Sequence, residues 1–137
     1  MRSVRTLVRG AGAALTVAAA LSCGGGSSSA PPTSSSAMCT PSTSPTTFVI
    51  MNNTVCPQSI TVARGTQVTF SNQDSIIHDM NSDPHPEHTD CPEINQVGFL
   101  NPGQSRLSGN LNVARRCGFH DHSRPENAST KGTIVIQ

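Results

Sequence analysis

Histidine is absent from the first 77 residues of this 137-residue chain and then appears five times, at His78, His85, His88, His120 and His122. Cys91 and Cys117 fall in the same window, and Met80 stands two residues from His78. Imidazole, thiolate and thioether are the borderline and soft donors that take copper or zinc in proteins. A single histidine would ordinarily be structural, but a solvated surface does not call for five in one window. The densest piece is "CGFHDH", residues 117–122, with three such donors in six residues. It reads as a metal-holding loop, or as half of a disulfide with two solvated histidines beside it. In an extended strand, residues two apart share a face, so His78 and Met80 aim at one point, and His120 and His122 at another.

Between these two groups lies "DPHPEHTDCPE", residues 83–93, stiffened by Pro84, Pro86 and Pro92. His85, His88 and Cys91 there form a second metal site, close over the first, or belong to a solvated acidic loop, since loops carry both function and variation.

Strands must position these groups. "SITVARGTQVTFSN" alternates so that Ile60 and Val62, then Val68 and Phe70, face one way, and Arg64-Gly65 sits where a hairpin would turn. "TFVIM" before it and "GTIVIQ" at the C-terminus are two further β-branched runs, with weaker candidates at "QVGFL" and after "NPGQS". No segment shows a helical period. Short strands punctuated by Gly, Pro and Asn give an all-β fold, a small sandwich.

Residues 1–22 read as a signal peptide: Arg2, Arg5 and Arg9 precede "GAGAALTVAAAL", an apolar run too short to span a bilayer. The run ends in "LSCGGG", which resembles the lipobox of bacterial lipoproteins, although Ala20 stands where that motif usually has Leu. The resemblance implies that Cys23 is lipidated, tying the protein to a membrane through the anchor alone, with the domain on the periplasmic or outer surface of a bacterial envelope. The alternative is ordinary cleavage that leaves Cys23 a stray thiol. Residues 23–46 then form a Gly/Ser/Pro/Thr-rich linker that buries too little to repay its ordering, a tether with an end-to-end distance of about 25–30 Å. Residues 47–137 are one domain. Of nine basic residues three lie in the signal, leaving six against eight acidic side chains. That balance excludes a nucleic-acid partner. No nucleophile–base pair or paired carboxylates mark an enzyme.

From about residue 55 onward the chain resembles the cupredoxins, the plastocyanin- and azurin-like copper proteins. "SITVARGTQVTFSNQDSIIHDM" is similar to the strands leading to that family's first copper histidine, "NPGQS" to its Pro-Gly turn, and "CGFHDH" with "KGTIVIQ" to its Cys-to-His loop and last strand. The resemblance implies a Greek-key sandwich and one copper ion cycling between Cu(I) and Cu(II). It implies ligands His78, Cys117 and either His120 or His122, a monomer, and a redox partner or copper donor or acceptor. The chain departs from the family in lacking a methionine after residue 80, in a longer segment from His120 to Gly132, and in the 83–93 insert. Asp79 and Asp121, each beside a histidine, are candidates by position to hold a ring's second nitrogen.

Cysteine arithmetic keeps a rival open. Without Cys23 the count is even, at Cys39, Cys56, Cys91 and Cys117, and an exported chain favours disulfides. Cys39 with Cys56 would pin the tether to the sandwich. Cys91 with Cys117 would remove the thiolate and leave copper to the histidines. Three readings therefore stand: a lipid-anchored one-electron carrier with a type 1-like site, a copper storage or delivery protein, and a metal-free structural sandwich.

Overall fold

In a computed structural model of the chain, residues 42–137 are described. The signal, Cys23, Cys39 and all but the end of the tether lie outside the described residues. Nine strands appear in chain order: β1 (Thr47–Met51), β2 (Thr54–Cys56), β3 (Ser59–Val62), β4 (Thr69–Asn72), β5 (His78–Ser82), β6 (Gly98–Leu100), β7 (Ser105–Leu107), β8 (Arg116–Asp121) and β9 (Gly132–Ile136). The helical pieces among the described residues are the 3₁₀ turns Ile94–Gln96 and Ala128–Thr130.

The strands form two mixed sheets, one ordered β2-β1-β4-β7 and the other β3-β9-β8-β5-β6. β1 runs parallel to β4 and β3 parallel to β9, while the remaining pairs are antiparallel. The alternation predicted for the core holds: Ile60, Val62, Val68 and Phe70 are all buried. Phe48 and Phe70 from one sheet meet Phe119 from the other with ring centroids 4.7–5.1 Å apart. Such tilted and edge-on contacts add to the area the rings bury.

The expected hairpin at Arg64-Gly65 does not form. β3 pairs with β9, and β4 with β1 and β7, so the two strands belong to opposite sheets. Gly65 does turn the chain, with φ +84°, in a region that favours glycine. Its N–H donates to the Leu111 carbonyl, and that of Arg64 to the Gln137 carbonyl. Inward residues of β3 and β4 therefore meet across the sandwich rather than side by side. Period-two patterning gives the buried face of a strand and says nothing of which strand lies next to it.

Candidate metal centre

β8 organises the site. Its inward residues Cys117, Phe119 and Asp121 are buried, and Gly118 and His120 alternate to the outer face. β8 lies between β9 and β5, with Asn81 opposite His120 and Ser82 opposite Phe119. The outer face would be solvated, yet His120 is only 1% exposed.

The cover is the insert that follows β5. The Asp83 N–H donates to the Gly118 carbonyl at 3.0 Å, that of His88 to the Pro84 carbonyl at 2.7 Å, and that of Asp90 to the Asp83 carbonyl at 2.9 Å. The Asn95 side chain accepts from the Ser82 N–H and donates to the His88 carbonyl, both at 2.9 Å. These bonds hold His88 at φ +55°, a left-handed conformation that few non-glycine residues adopt. Beyond this loop the chain turns into the core, where Cys91, Ile94 and Val97 are buried.

His85 and His88 from the insert meet His120 and His122 from the end of β8, and one ligand atom from each lies within 4.8 Å of all the others. The Asp83 carboxylate accepts from Nδ1 of His120 at 2.7 Å. Nε2 of the same ring is buried and has no hydrogen-bond partner. Buried polar atoms rarely go unpaired, and an imidazole fixed by a carboxylate on one nitrogen and bare on the other is the arrangement found on metal ligands. Nε2 of His88 and Nδ1 of His122 stand 3.0 Å apart, so they share a proton or converge on a cation. Burial first, and then the neighbouring rings of His122, His120 and His85, lower the proton affinity of His88, which favours the neutral, ligating imidazole.

The ring centroids define a shape. His85–His122 and His88–His122 are 4.8 Å apart, His88–His120 5.2 Å and His85–His120 5.4 Å. The two opposite pairs, His85–His88 and His120–His122, are longer, at 5.9 and 6.4 Å. Four imidazoles bound at ~2.0 Å would place all centroids about 5.2 Å apart in a tetrahedron, or about 4.5 and 6.4 Å apart in a square plane. The observed separations, 4.8–6.4 Å, are of that size, so the four imidazoles can surround one ion.

The structure does not assemble the set of His78, Cys117 and a late histidine. Cys117 is disulfide-bonded to Cys91, with Cα atoms 5.8 Å apart, so neither sulfur is a thiolate donor. Both cysteines lie in the hydrophobic core, on the face of β8 opposite His120. Met80 lies in the same core, which corrects its assignment as a ligand. It shares the inward face with His78, as their spacing implied, but that face is packed. His78 is capped on both nitrogens, Nδ1 by Asp121 at 2.8 Å and Nε2 by Asp74 at 3.4 Å. Burial alone would raise the Asp121 pKa; the His78 ring and the N–H groups of Asp79 and Ser123 outweigh it and hold the carboxyl below its ordinary range. Asp121 thus serves His78, not the cluster, and Asp79 accepts from the Asn81 amide at 2.9 Å. Cys56 is disulfide-bonded, while Cys39, its expected partner, lies outside the described residues.

Sequence reasoning missed Asp83 and Gly118. The signal was faint but present: Asp83 stands two residues before His85, and a glycine two before His120 leaves space on the same strand face.

The sequence matches no known family profile and no curated protein. Solved structures do match. A purple cupredoxin from Nitrosopumilus maritimus is 17% identical, with 66% of this chain aligned to 98% of that one at a TM-score of 0.52. A plastocyanin from Dryopteris crassirhizoma is 20% identical over 66% of this chain and 99% of its own, also at 0.52. An amicyanin from Paracoccus versutus is 13% identical over 72% and 85%, at 0.53. The sheet order, the buried aromatic centre and these likenesses agree that the described domain has the cupredoxin fold.

Proposed function

We propose that this domain binds one copper ion through His85, His88, His120 and His122, and that it holds and hands on copper in a bacterial cell envelope, tethered by a lipid on Cys23. The observation that carries the reading is the buried, partnerless Nε2 of His120 among three other imidazoles. Imidazole donors suit copper, zinc, iron or nickel, and divalent copper leads that series in affinity. Solved amicyanins include a Cu(I) form, which makes copper the metal to test first.

One-electron transfer is the second reading, supported by the fold. It does not rest on a type 1 centre, since the sulfur such a centre needs is bonded to Cys91.

Copper titration of the purified protein, with a thiol count and electron paramagnetic resonance, tests the proposal. One equivalent of Cu(II), a nitrogen-rich signal, no free thiol at Cys117 and no intense thiolate-to-copper band are expected. An intense band lost in Cys117→Ser would restore the thiolate site. Absence of tight copper binding would leave a structural sandwich.

A further inference from the structure

The insert is fastened to β8 at two points, and one of them depends on a missing side chain. Asp83 lies over Gly118. A Cβ built on Gly118 would overlap Oδ2 of Asp83 and come within 2.9 Å of its Cγ and 3.3 Å of its Cβ. The other carboxylate oxygen, Oδ1, receives Nδ1–H of His120, two residues along the same face of the strand. The main chain closes the same contact through the Asp83 N–H and the Gly118 carbonyl. Gly118 does not have a positive φ, so the backbone does not demand glycine; the space above it does.

We propose that Gly118 and Asp83 act together as the positioning device of the metal centre: the glycine makes a slot for the carboxylate, and the carboxylate fixes the His120 ring with Nδ1 protonated and Nε2 aimed at the metal. This rests on the copper reading above. Neither residue is a ligand. The slot sets which nitrogen His120 presents, and it seats the first residue of the loop that carries His85 and His88. Outer partners of ligating imidazoles commonly contribute 10–100-fold to metal affinity.

The alternative is that Asp83 merely folds the loop. Its side chain is 39% exposed and its loop is also held by Asn95 and by the Cys91–Cys117 bond, so Asp83→Ala should fold.

The test uses the full-length protein, first without metal, near pH 8 where imidazoles are neutral. Ring nitrogen-15 NMR should show His120 as the Nδ1–H tautomer in the wild type and as a mixture in Asp83→Ala and Gly118→Ala. Competition against a chelator should then show Cu(II) binding weakened about 10–100-fold in either variant. In the Asp83→Ala background, Gly118→Ala should cost nothing more, because the group it displaces is gone. Asp83→Asn, which keeps an acceptor oxygen, should recover the tautomer and part of the affinity. Unchanged tautomer and affinity in Asp83→Ala, or fully additive losses in the double variant, would overturn the device. A wild type that binds no copper would instead overturn the metal reading, and the tautomer result would still judge the slot.

Discussion

His78 and His120 are buried alike, at 0% and 1% exposure, and each gives Nδ1 to an aspartate at 2.8 and 2.7 Å. They differ at the other nitrogen. His78 Nε2 faces Asp74, whereas His120 Nε2 has no hydrogen-bond partner among the described residues and lies within a cluster of other imidazoles. The first ring is a closed structural element, with a carboxylate at each end and a role in joining β5 to the end of β8. The second is an open donor. Burial and a carboxylate partner are common to both, so neither identifies a ligand; the unclaimed lone pair does.

The largest effect expected from this contrast comes from exchanging the two truncations. His78→Ala empties a fully buried site and removes the ring's bonds to Asp121 and Asp74, and truncating a large buried, hydrogen-bonded side chain costs about 3–5 kcal/mol of stability. Copper affinity, measured on the fraction that stays folded, should fall far less than in His120→Ala, because His78 reaches the cluster only through Asp121 and Asp79. His120→Ala should abolish copper binding; emptying an equally buried site also lowers the melting transition of the metal-free protein, but by less, since its partner Asp83 is 39% exposed and regains water. Paired melting and chelator-competition curves on both variants are sufficient. Copper loss in His78→Ala with intact folding would break the distinction.

That contrast also shows how much the sequence disclosed. The clustering of donors, the inward faces of β3 and β4, the shared face of His78 and Met80, and the pairing of His120 with His122 were all readable from residue type and period; that the face of His78 and Met80 is packed core was not. The choice between His78 and the insert was not. It depends on β8 lying between β5 and β9, which puts Cys117 and Asp121 on the core face and His120 on the other. Non-local pairing of that kind leaves no trace in period-two alternation. The same limit explains why Arg64-Gly65 resembled a hairpin turn when it crosses between sheets.

The second fastening of the insert gives the next largest effect. Cys91 and Cys117 close a loop with a sequence separation of 26, and the loop-entropy relation gives about 3.5 kcal/mol for that length. Replacing both with Ala should lower stability by roughly that amount, read as a shift in the denaturation midpoint. The copper spectrum should not change, since both sulfurs face the core. A spectrum altered in position or intensity would mean that sulfur contributes to the centre after all.

Acid should distinguish the closed histidine from the open one. For Asp74, burial acts to raise the pKa, but N–H donation from Asn53 and Ser75 and the His78 ring together bring it below its ordinary value. Asp121 shifts in the same direction. A carboxylate whose folded pKa is depressed adds stability that is fully present above its unfolded pKa of about 3.9 and is lost as pH falls through the folded value. Stability of the metal-free protein should therefore decline below about pH 4, where these two groups begin to protonate. Asp74→Asn should flatten that limb by removing one of the titrating groups. An acid limb of unchanged slope in Asp74→Asn would place the sensitivity elsewhere.

The smallest effect is expected at His85, the one exposed ring of the four. Its neighbours are fixed: His120 by Asp83, His88 by its backbone bonds to Pro84 and Asn95, and His122 by an N–H bond to the Asp79 carbonyl at 2.7 Å. No side-chain hydrogen bond to the His85 ring appears among the described residues, so its ordering entropy opposes the bond it would make to the metal. Three imidazoles already suffice to hold a metal, as sites with an open fourth position show. His85→Ala should therefore keep copper with about tenfold weaker affinity, close to 1.4 kcal/mol, and should shift the resonance signal toward one fewer nitrogen. The vacated position should then accept an added ligand such as imidazole, with recovery of the wild-type signal. Wild-type affinity together with an unaltered signal would remove His85 from the site and leave a three-histidine centre. A loss as complete as in His120→Ala would mean that the exposed ring holds the metal as firmly as the buried one, and exposure would no longer rank the four.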